Sequence, residues 1–368
     1  MQALIDGSRL MTEALVKAGA DVFIGYPITP ANNLYAYSKN RFKTFLAAPD
    51  EITTLQWMCG FSVAGRLPVT ATSFPGFALM LESINMAYMM ELPMVIVLVQ
   101  RLGPSTGTAT CGAQGDLSLL NGMLSGGYSI PVLATSNAKD CWSMAEKAVK
   151  TADRLRSPVI LLTSKEEAMT QFSFDMSLLE EISPVERKFY AGTESYVPYK
   201  RNEMAVPEFL PVSSNKHQVR ITASTHNEKG ILEGISAEAL ENTLQINEKI
   251  GKNLASYLDY ELNEEAGARK LIVSWGITAN AAREAARELK KEGMKVSTFI
   301  PKTLLPLADK YYDILEGYED IVFAEENHNS QLKKLLYGAR SPKNVHSVNK
   351  IGRMIDPTEI IEEVKKHG

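Results

Sequence analysis

From residue 22 to residue 163, short apolar runs alternate with stretches of helical periodicity. The runs at 22–24, 42–47, 68–72, 94–99, 129–134 and 159–163 have the length and composition of strands. Helical stretches separate them: one capped by Ser8 ahead of the first strand, a short one after residue 33, one opened by Asp50, one near 78–90 and one over 140–155. Strands that alternate with helices pair in parallel through crossovers, so the pattern predicts an α/β fold with a doubly wound parallel sheet. Residues 73–76 read as a turn. A second unit of the same kind starts at Lys270, with strands at 270–275, 295–299 and 320–324, a short one near Val345, and helices at 279–291, 307–315 and 357–366. Between the units the pattern degrades. Residues 193–217, rich in Pro, Tyr and polar side chains, read as a long connection, and helical periodicity returns at 236–260 with Ser236 as its cap.

A chain of 368 residues has room for two domains, each burying its own core. The limits follow from the pattern: a first domain over 1–175, a connecting segment over 176–265 and a smaller α/β domain over 266–368. With 39 Lys+Arg against 43 Asp+Glu, no basic excess points to nucleic acid. The three cysteines, Cys59, Cys111 and Cys141, lie far apart, which argues against a disulfide scaffold, a structural zinc site or an iron–sulfur cluster held by this chain alone. A reducing, cytoplasmic compartment fits. The first residues read as an amphipathic helix with polar breaks rather than a signal peptide. The greasiest run, 94–99, is cut short by Glu91 and Pro93, so no membrane span is expected.

Ligands of parallel sheets sit beyond the carboxyl ends of the strands. Three features fall there. GYPITP (25–30) follows the first strand, SFPG (73–76) the third and QRLGPSTG (100–107) the fourth. In GYPITP, Thr29 is placed as an N-cap with Pro30 at the first helical position, which leaves amide hydrogens and the positive end of a helix dipole for an anion. The same residues would serve equally as a stiff turn with nothing bound. Arg101 emerges at this edge, where its fork suits a carboxylate, or else pairs with a structural acid such as Asp116. Ser105 and Thr106 add hydroxyls, but no lysine follows the glycine as in a nucleotide-phosphate loop. Glu51, in the first turn of its helix, complements the dipole on its own terms. Gly115-Asp116 followed by Asn121 is too short for a diphosphate-and-metal motif, and His226, His328 and Glu325-Glu326 lack metal-ligand spacing, so this chain is read as holding no metal.

In combination these motifs resemble one family. GYPITP, the helix opening DEI, a TS-x-PG turn, E-x-P before a strand ending in Arg, and GPSTG followed by QGDL are similar to the alpha subunit of 2-oxoacid:ferredoxin oxidoreductases, and the GPSTG form resembles the 2-oxoglutarate branch. The resemblance is dense over 1–170. It continues more loosely in THNEKG (225–230), SWGITANAAREA (274–285), EENHNSQL (325–332) and GRMIDPTEII (352–361).

It implies a pyrimidine-binding domain of a thiamine-diphosphate enzyme followed by a transketolase C-terminal-like domain. It also implies oxidative decarboxylation of a 2-oxoacid with coenzyme A, giving acyl-CoA, CO2 and reduced ferredoxin. Glu51 would match the glutamate that protonates the cofactor's aminopyrimidine. Thr29 and Arg101 would hold the substrate's 1-carboxylate, with Ser105 and Thr106 lining the same pocket, and Pro27, Ile28, Ser73 and Phe74 would lie along the cofactor. The partner would be a beta subunit carrying the diphosphate with its Mg2+ and a [4Fe-4S] cluster, joined in some assemblies by a gamma subunit, in a dimer of heterodimers. This chain departs from the family pattern at Phe74 and Leu102, where glycines are usual, and at Tyr128, near a usual histidine. Those departures set a branched-chain or aromatic 2-oxoacid beside 2-oxoglutarate as the substrate. They leave two other readings, a non-catalytic scaffold and a decarboxylase without electron transfer.

Overall fold

The computed structural model describes residues 1–367. β1 (Gln2–Ile5) leads into α1 (Gly7–Lys17), whose start is set by Asp6, the side chain accepting from the Arg9 amide. The residues read as helical from the first methionine therefore begin as a strand. β2 (Val22–Gly25), α2 (Asn32–Arg41), β3 (Thr44–Ala47) and α3 (Glu51–Val63) follow, with Asp50 capping α3 through the Thr53 amide. β4 (Pro68–Thr72) runs into α4 (Phe74–Met89), so residues 73–76 are the head of a helix and not a free turn. Pro75 explains the misreading: in a first helical turn its missing N–H takes nothing from the hydrogen-bond ladder.

β5 (Met94–Gln100), α5 (Leu117–Gly122), β6 (Val132–Ala134), α6 (Ala138–Leu155), β7 (Pro158–Ser164) and α7 (Lys165–Met169) complete the first alternation. β8 (Phe172–Asp175) then returns antiparallel to β1, with Gln2 opposite Asp175. A long segment carrying α8 (Ala237–Lys252) leads to β9 (Tyr260–Asn263). The second alternation is β10 (Lys270–Ser274), α9 (Ala279–Lys291), β11 (Val296–Pro301), β12 (Thr303–Leu305), α10 (Asp309–Glu316), β13 (Asp320–Glu325), α11 (Gln331–Tyr337), β14 (Val345–Asn349) and α12 (Pro357–Lys366).

The first sheet has seven strands in the order β12-β6-β7-β5-β4-β2-β3. Its pairs are parallel except β12 with β6. The chain goes outward from β2 to β3 and returns to place β4 on the other side of β2, so the winding reverses between β2 and β4. That reversal opens a crevice at their carboxyl ends. Every residue of β5 and β7 is buried, which is why these strands read as unbroken apolar runs. The second sheet has five strands, β14-β13-β10-β11-β9, parallel except for β9.

The two sheets share material. β12 leaves the second unit to extend the first sheet, and one core cluster runs from Leu98 and Val99 to Trp275, Phe299 and Leu304. The irregular segment is tied down by a buried ion network. Arg201 donates to both carboxylate oxygens of Glu91 at 2.7 and 3.0 Å, and Lys249 donates to Glu91 at 2.5 Å. Burial alone would raise the Glu91 carboxyl, but Lys249 and Arg201 outweigh it and hold it at about 2. Burial pulls the Lys249 ammonium down to about 8 against the pull of Glu91.

Candidate active site

Four chain segments meet at the carboxyl edge of the first sheet, each delivered by a strand end. After β2, residues 26–31 form a loop and α2 starts only at Asn32. Thr29 is therefore not the cap of that helix: Ala31 stands at the N-cap position, with no side-chain capping bond. Asn32 turns its amide back to donate to Thr29 Oγ1 at 2.9 Å. The Thr29 carbonyl accepts a 2.6 Å hydrogen bond from Arg101 Nη1. The structure thus brings Thr29 and Arg101 together as expected, but through the threonine main chain. Arg101 is 6% exposed and its Nε is buried without a partner. Burial lowers its pKa from the ordinary value.

Glu51 is 7% exposed at the first position of α3. Capping belongs to Asp50, so the helix does not need the Glu51 side chain for that purpose. Its carboxylate lies against Gly76 at the head of α4. A Cβ on residue 76 would stand 2.5 Å from Glu51 Oε1 and closer still to Thr72 Oγ1. Only glycine leaves room for the acid in this position. Next to it, Ser73 heads α4 without a side-chain capping bond, and its Oγ is buried and unpartnered. Pro27 and Ile28 lie on the loop leading to Thr29, exposed and half-buried respectively.

A cavity of about 430 Å³ opens at this edge, walled by Phe74, Arg101, Leu102, Pro104 and Asp116 on one side and by Glu326, His328, Gln331 and Ile351 on the other. Phe74 and Leu102, two of the departures from the family pattern, face this space. Tyr128 does not, and packs instead on Tyr88 with ring centroids 6.2 Å apart. A larger hollow, of about 700 Å³, lies between Leu262 and Tyr318, away from these strand ends.

The loop after Arg101 folds back on itself through Leu102, whose amide donates to the Cys111 carbonyl at 2.8 Å and whose carbonyl accepts from Thr108 at 2.9 Å. Gly107, at φ 52°, lies so close to the Leu102 carbonyl that no Cβ would fit. Ser105 and Thr106 stand on the exposed tip of this loop, and its contribution to the cavity wall is Leu102, Gly103 and Pro104.

The EENHNSQL segment is a structural clasp. Glu325 accepts from Trp275 Nε1 and from the Leu332 and Lys333 amides at the head of α11. Gln114 donates to the Trp275 carbonyl and accepts from Thr278 and the Glu326 amide, which locks the two units edge to edge. Gln100, Gln114 and Gln331 lie inside the motifs QRLGPSTG, QGDL and EENHNSQL, but an uncharged amide carries no sign of its partner in the sequence and none of the three is assigned a role there. Asp116 reads from the sequence as a partner for Arg101 or as part of a diphosphate motif that is too short, yet its Oδ2 is buried with no partner among the described residues. Elsewhere, His346, Glu363 and His367 offer ligand atoms within 4.8 Å of one another. They lie at the amino ends of the second sheet, and the two imidazole rings are stacked 3.4 Å apart. No helix among the described residues is long and apolar enough to cross a membrane.

The architecture defines a class first. A split-gene transketolase, solved as an inactive β4 tetramer, superposes with a TM-score of 0.57 over 99% of this chain and 98% of its own, at 15% identity. At that identity the likeness is one of fold. The chain itself belongs to the pyruvate flavodoxin/ferredoxin oxidoreductase, thiamine diphosphate-binding family, whose model matches residues 13–244. It is 30% identical to the 2-oxoglutarate synthase subunit KorA of Methanocaldococcus jannaschii over 97% of both chains. It is 26% identical to the ketoisovalerate oxidoreductase subunit VorB of Methanothermobacter thermautotrophicus, over 99% of this chain and 97% of that one. The 2-oxoglutarate:ferredoxin oxidoreductase from Magnetococcus marinus, solved with 2-oxoglutarate, coenzyme A and succinyl-CoA bound, matches with a TM-score of 0.91 at 29% identity. All of this chain is covered in that match, and the chain spans 65% of the length of that one.

Proposed function

We propose that this chain is the alpha subunit of a 2-oxoacid:ferredoxin oxidoreductase that converts a 2-oxoacid and coenzyme A to acyl-CoA and CO2 while reducing ferredoxin, with 2-oxoglutarate the first substrate to try. The observation that carries the reading is Glu51, a buried carboxyl seated on Gly76 at the sheet's switch point, one strand end from the Thr29–Arg101 contact. Residues 1–175 are the pyrimidine-binding domain, 176–265 the connection and 266–368 the transketolase C-terminal-like domain.

The residues fit thiamine diphosphate on two counts: the glycine cradle under Glu51 and the orphaned Ser73 hydroxyl beside it. When bound, the cofactor supplies an electron sink for the carbon that loses CO2. Everything else falls to the protein. Glu51 would hold a ring nitrogen of the cofactor with its buried carboxyl and pass a proton across that contact, along the wall formed by Pro27, Ile28, Ser73 and Phe74. Arg101 holds the 1-carboxylate through its fork, and its bond to the Thr29 carbonyl fixes where that fork points. Phe74 and Leu102 keep water from the reacting carbon. Ser105 and Thr106 belong to the loop whose Leu102, Gly103 and Pro104 wall the cavity, and are read as lining the same pocket.

The site is half a site. Tyr26 on the loop after β2, Ile52 and Trp57 on α3 and Leu79 on α4 are each 40–52% exposed on the elements that deliver the site, apolar surface suited to a second subunit. That partner is the beta subunit, with the diphosphate, its Mg2+ and a [4Fe-4S] cluster, in a dimer of heterodimers that a gamma subunit completes in some assemblies. A second reading keeps the chemistry on a branched-chain 2-oxoacid, because Phe74 and Leu102 narrow the cavity and the ketoisovalerate enzyme subunit matches along nearly its whole length. Co-expression with the beta partner, followed by assays of coenzyme A-dependent viologen reduction with 2-oxoglutarate and ketoisovalerate, tests both. Reduction that requires added thiamine diphosphate is expected, and CO2 release with no acceptor reduced would contradict the oxidoreductase assignment.

A further inference from the structure

Asp116 heads α5, the position whose side chain ordinarily accepts from the helix's own second or third amide. It makes no such bond. The capping is done from the other unit instead: Gln331 Oε1 accepts from the Ser118 amide at 2.9 Å, and Gln331 Nε2 donates to the Gly115 carbonyl at 2.9 Å. Released from that task, Asp116 is 5% exposed, and its Oδ2 is buried with no partner among the described residues. It shares the cavity wall with Arg101 and Phe74. One donor on the same wall, Arg101 Nε, is also buried and unpartnered. Two orphaned polar atoms from residues of one cavity wall, Asp116 Oδ2 and Arg101 Nε, are what a site awaiting a polar ligand leaves behind, because buried polar groups are otherwise paired.

A carboxyl this enclosed, with no ion pair to any cation, favours its neutral form. Burial pushes Asp116 up to about 6, with the Gln100 amide beside it pulling the other way. As the neutral acid it is a hydrogen-bond donor, and its ligand is then an oxygen acceptor. The ionisable groups that share the cavity with it are Arg101 at the end of β5 and Glu326 and His328 after β13, while α4 and α11 contribute Phe74 and Gln331, which do not titrate.

We propose that Asp116 is a substrate-positioning residue of this site, donating a hydrogen bond as the neutral acid to an oxygen of the 2-oxoacid whose carboxylate Arg101 holds. The proposal rests on the reading of the cavity as the 2-oxoacid site. Binding an anion there above pH 6 then takes up a proton onto Asp116, so affinity falls as pH rises.

The test uses the alpha–beta assembly as wild type, Asp116→Asn and Asp116→Ala. Calorimetric titration with 2-oxoglutarate and with ketoisovalerate at pH 7.5, in buffers of different ionisation enthalpy, reads proton uptake on binding. Wild type is expected to approach one proton per site and Asp116→Asn, whose amide donates without titrating, to take up none. The KM of wild type should rise on the order of 50-fold from pH 5.5 to 8, about tenfold per pH unit above 6, while that of Asp116→Asn stays flat. Asp116→Ala should raise KM about tenfold at pH 6, with a smaller effect on kcat, as expected for one lost hydrogen bond. A purely structural role would lower the melting temperature of the variants without moving proton uptake. Equal uptake in wild type and Asp116→Asn, with binding intact, overturns the proposal. An assembly that binds and turns over neither 2-oxoacid overturns the reading of the cavity itself.

Discussion

At the scale of single residues, the site depends on close approaches that a sequence does not display. Glu51 was legible as an acid at a helix start, but its burial comes from Gly76, which belongs to another helix. Gly76→Ala would push a methyl group into Glu51 and Thr72, and overpacking of that kind costs about 1–3 kcal/mol. A fall in melting temperature of several degrees is expected, with a larger proportional loss of activity as Glu51 is displaced. A variant that melts lower but turns over normally would contradict the seat assigned to Glu51. Thr29 was legible as a polar group at the ligand edge, yet its contact with Arg101 is made by a carbonyl, which any residue has. Ser105 and Thr106 are legible as hydroxyls at the ligand edge, but their place on an exposed tip is not, because the loop's fold-back onto Leu102 is invisible in a run of small residues. Asp116 carries a second prediction. Its folded pKa, about 6, lies above its ordinary 3.8, so the stability it contributes is full below 3.8 and lost as pH rises through 6. Asp116→Asn should therefore gain stability over wild type between pH 4 and 8, up to about 3 kcal/mol from a shift of some two units. Denaturant titrations across that range would read it, and a pH-independent difference would contradict the buried, proton-holding carboxyl.

At the scale of elements, the alternation of strands and helices was legible because β5 and β7, buried along their whole length, write unbroken apolar runs into the chain. The ends were less so. The start of α4 reads late because Ser73, Pro75 and Gly76 within four residues resemble a turn, and in this case they form a helix head. β1 and β8 are four-residue strands joined across most of the first unit, too short for a period to register. The connection is legible only at its helix, α8, and residues 193–217 show no pattern, since their order comes from Glu91, Arg201 and Lys249, far apart in sequence and joined in a dry interior. Breaking such a network by removing one partner costs roughly 3–5 kcal/mol, because the charge left behind stays buried. Arg201→Met should destabilise the chain by that order and open residues 190–215 to limited proteolysis. An unchanged digestion pattern would show that the segment is held by something else.

At the scale of the whole molecule, the two α/β units act as one body at the site. β12 extends the first sheet from the second unit, Gln114 and Gln331 clasp the cavity from both sides, and the EENHNSQL segment forms its far wall. The resemblance that marked this segment carried no role for it, and its role is to hold the edges together. Tyr26, on the loop after β2, and Ile52 and Trp57, on α3, leave apolar side chains exposed on the elements that carry Glu51 and Thr29, where the proposed second subunit would pack. Activity is thus a property of the assembly, and the role of Glu51 is its central claim. The direct measurement is coenzyme A-dependent reduction of viologen by the alpha–beta assembly carrying Glu51→Gln, against wild type at saturating thiamine diphosphate. The account predicts a loss of about 10²-fold or more, the usual worth of a positioned proton-transfer group, with assembly and melting temperature retained. Turnover within a few-fold of wild type would contradict it.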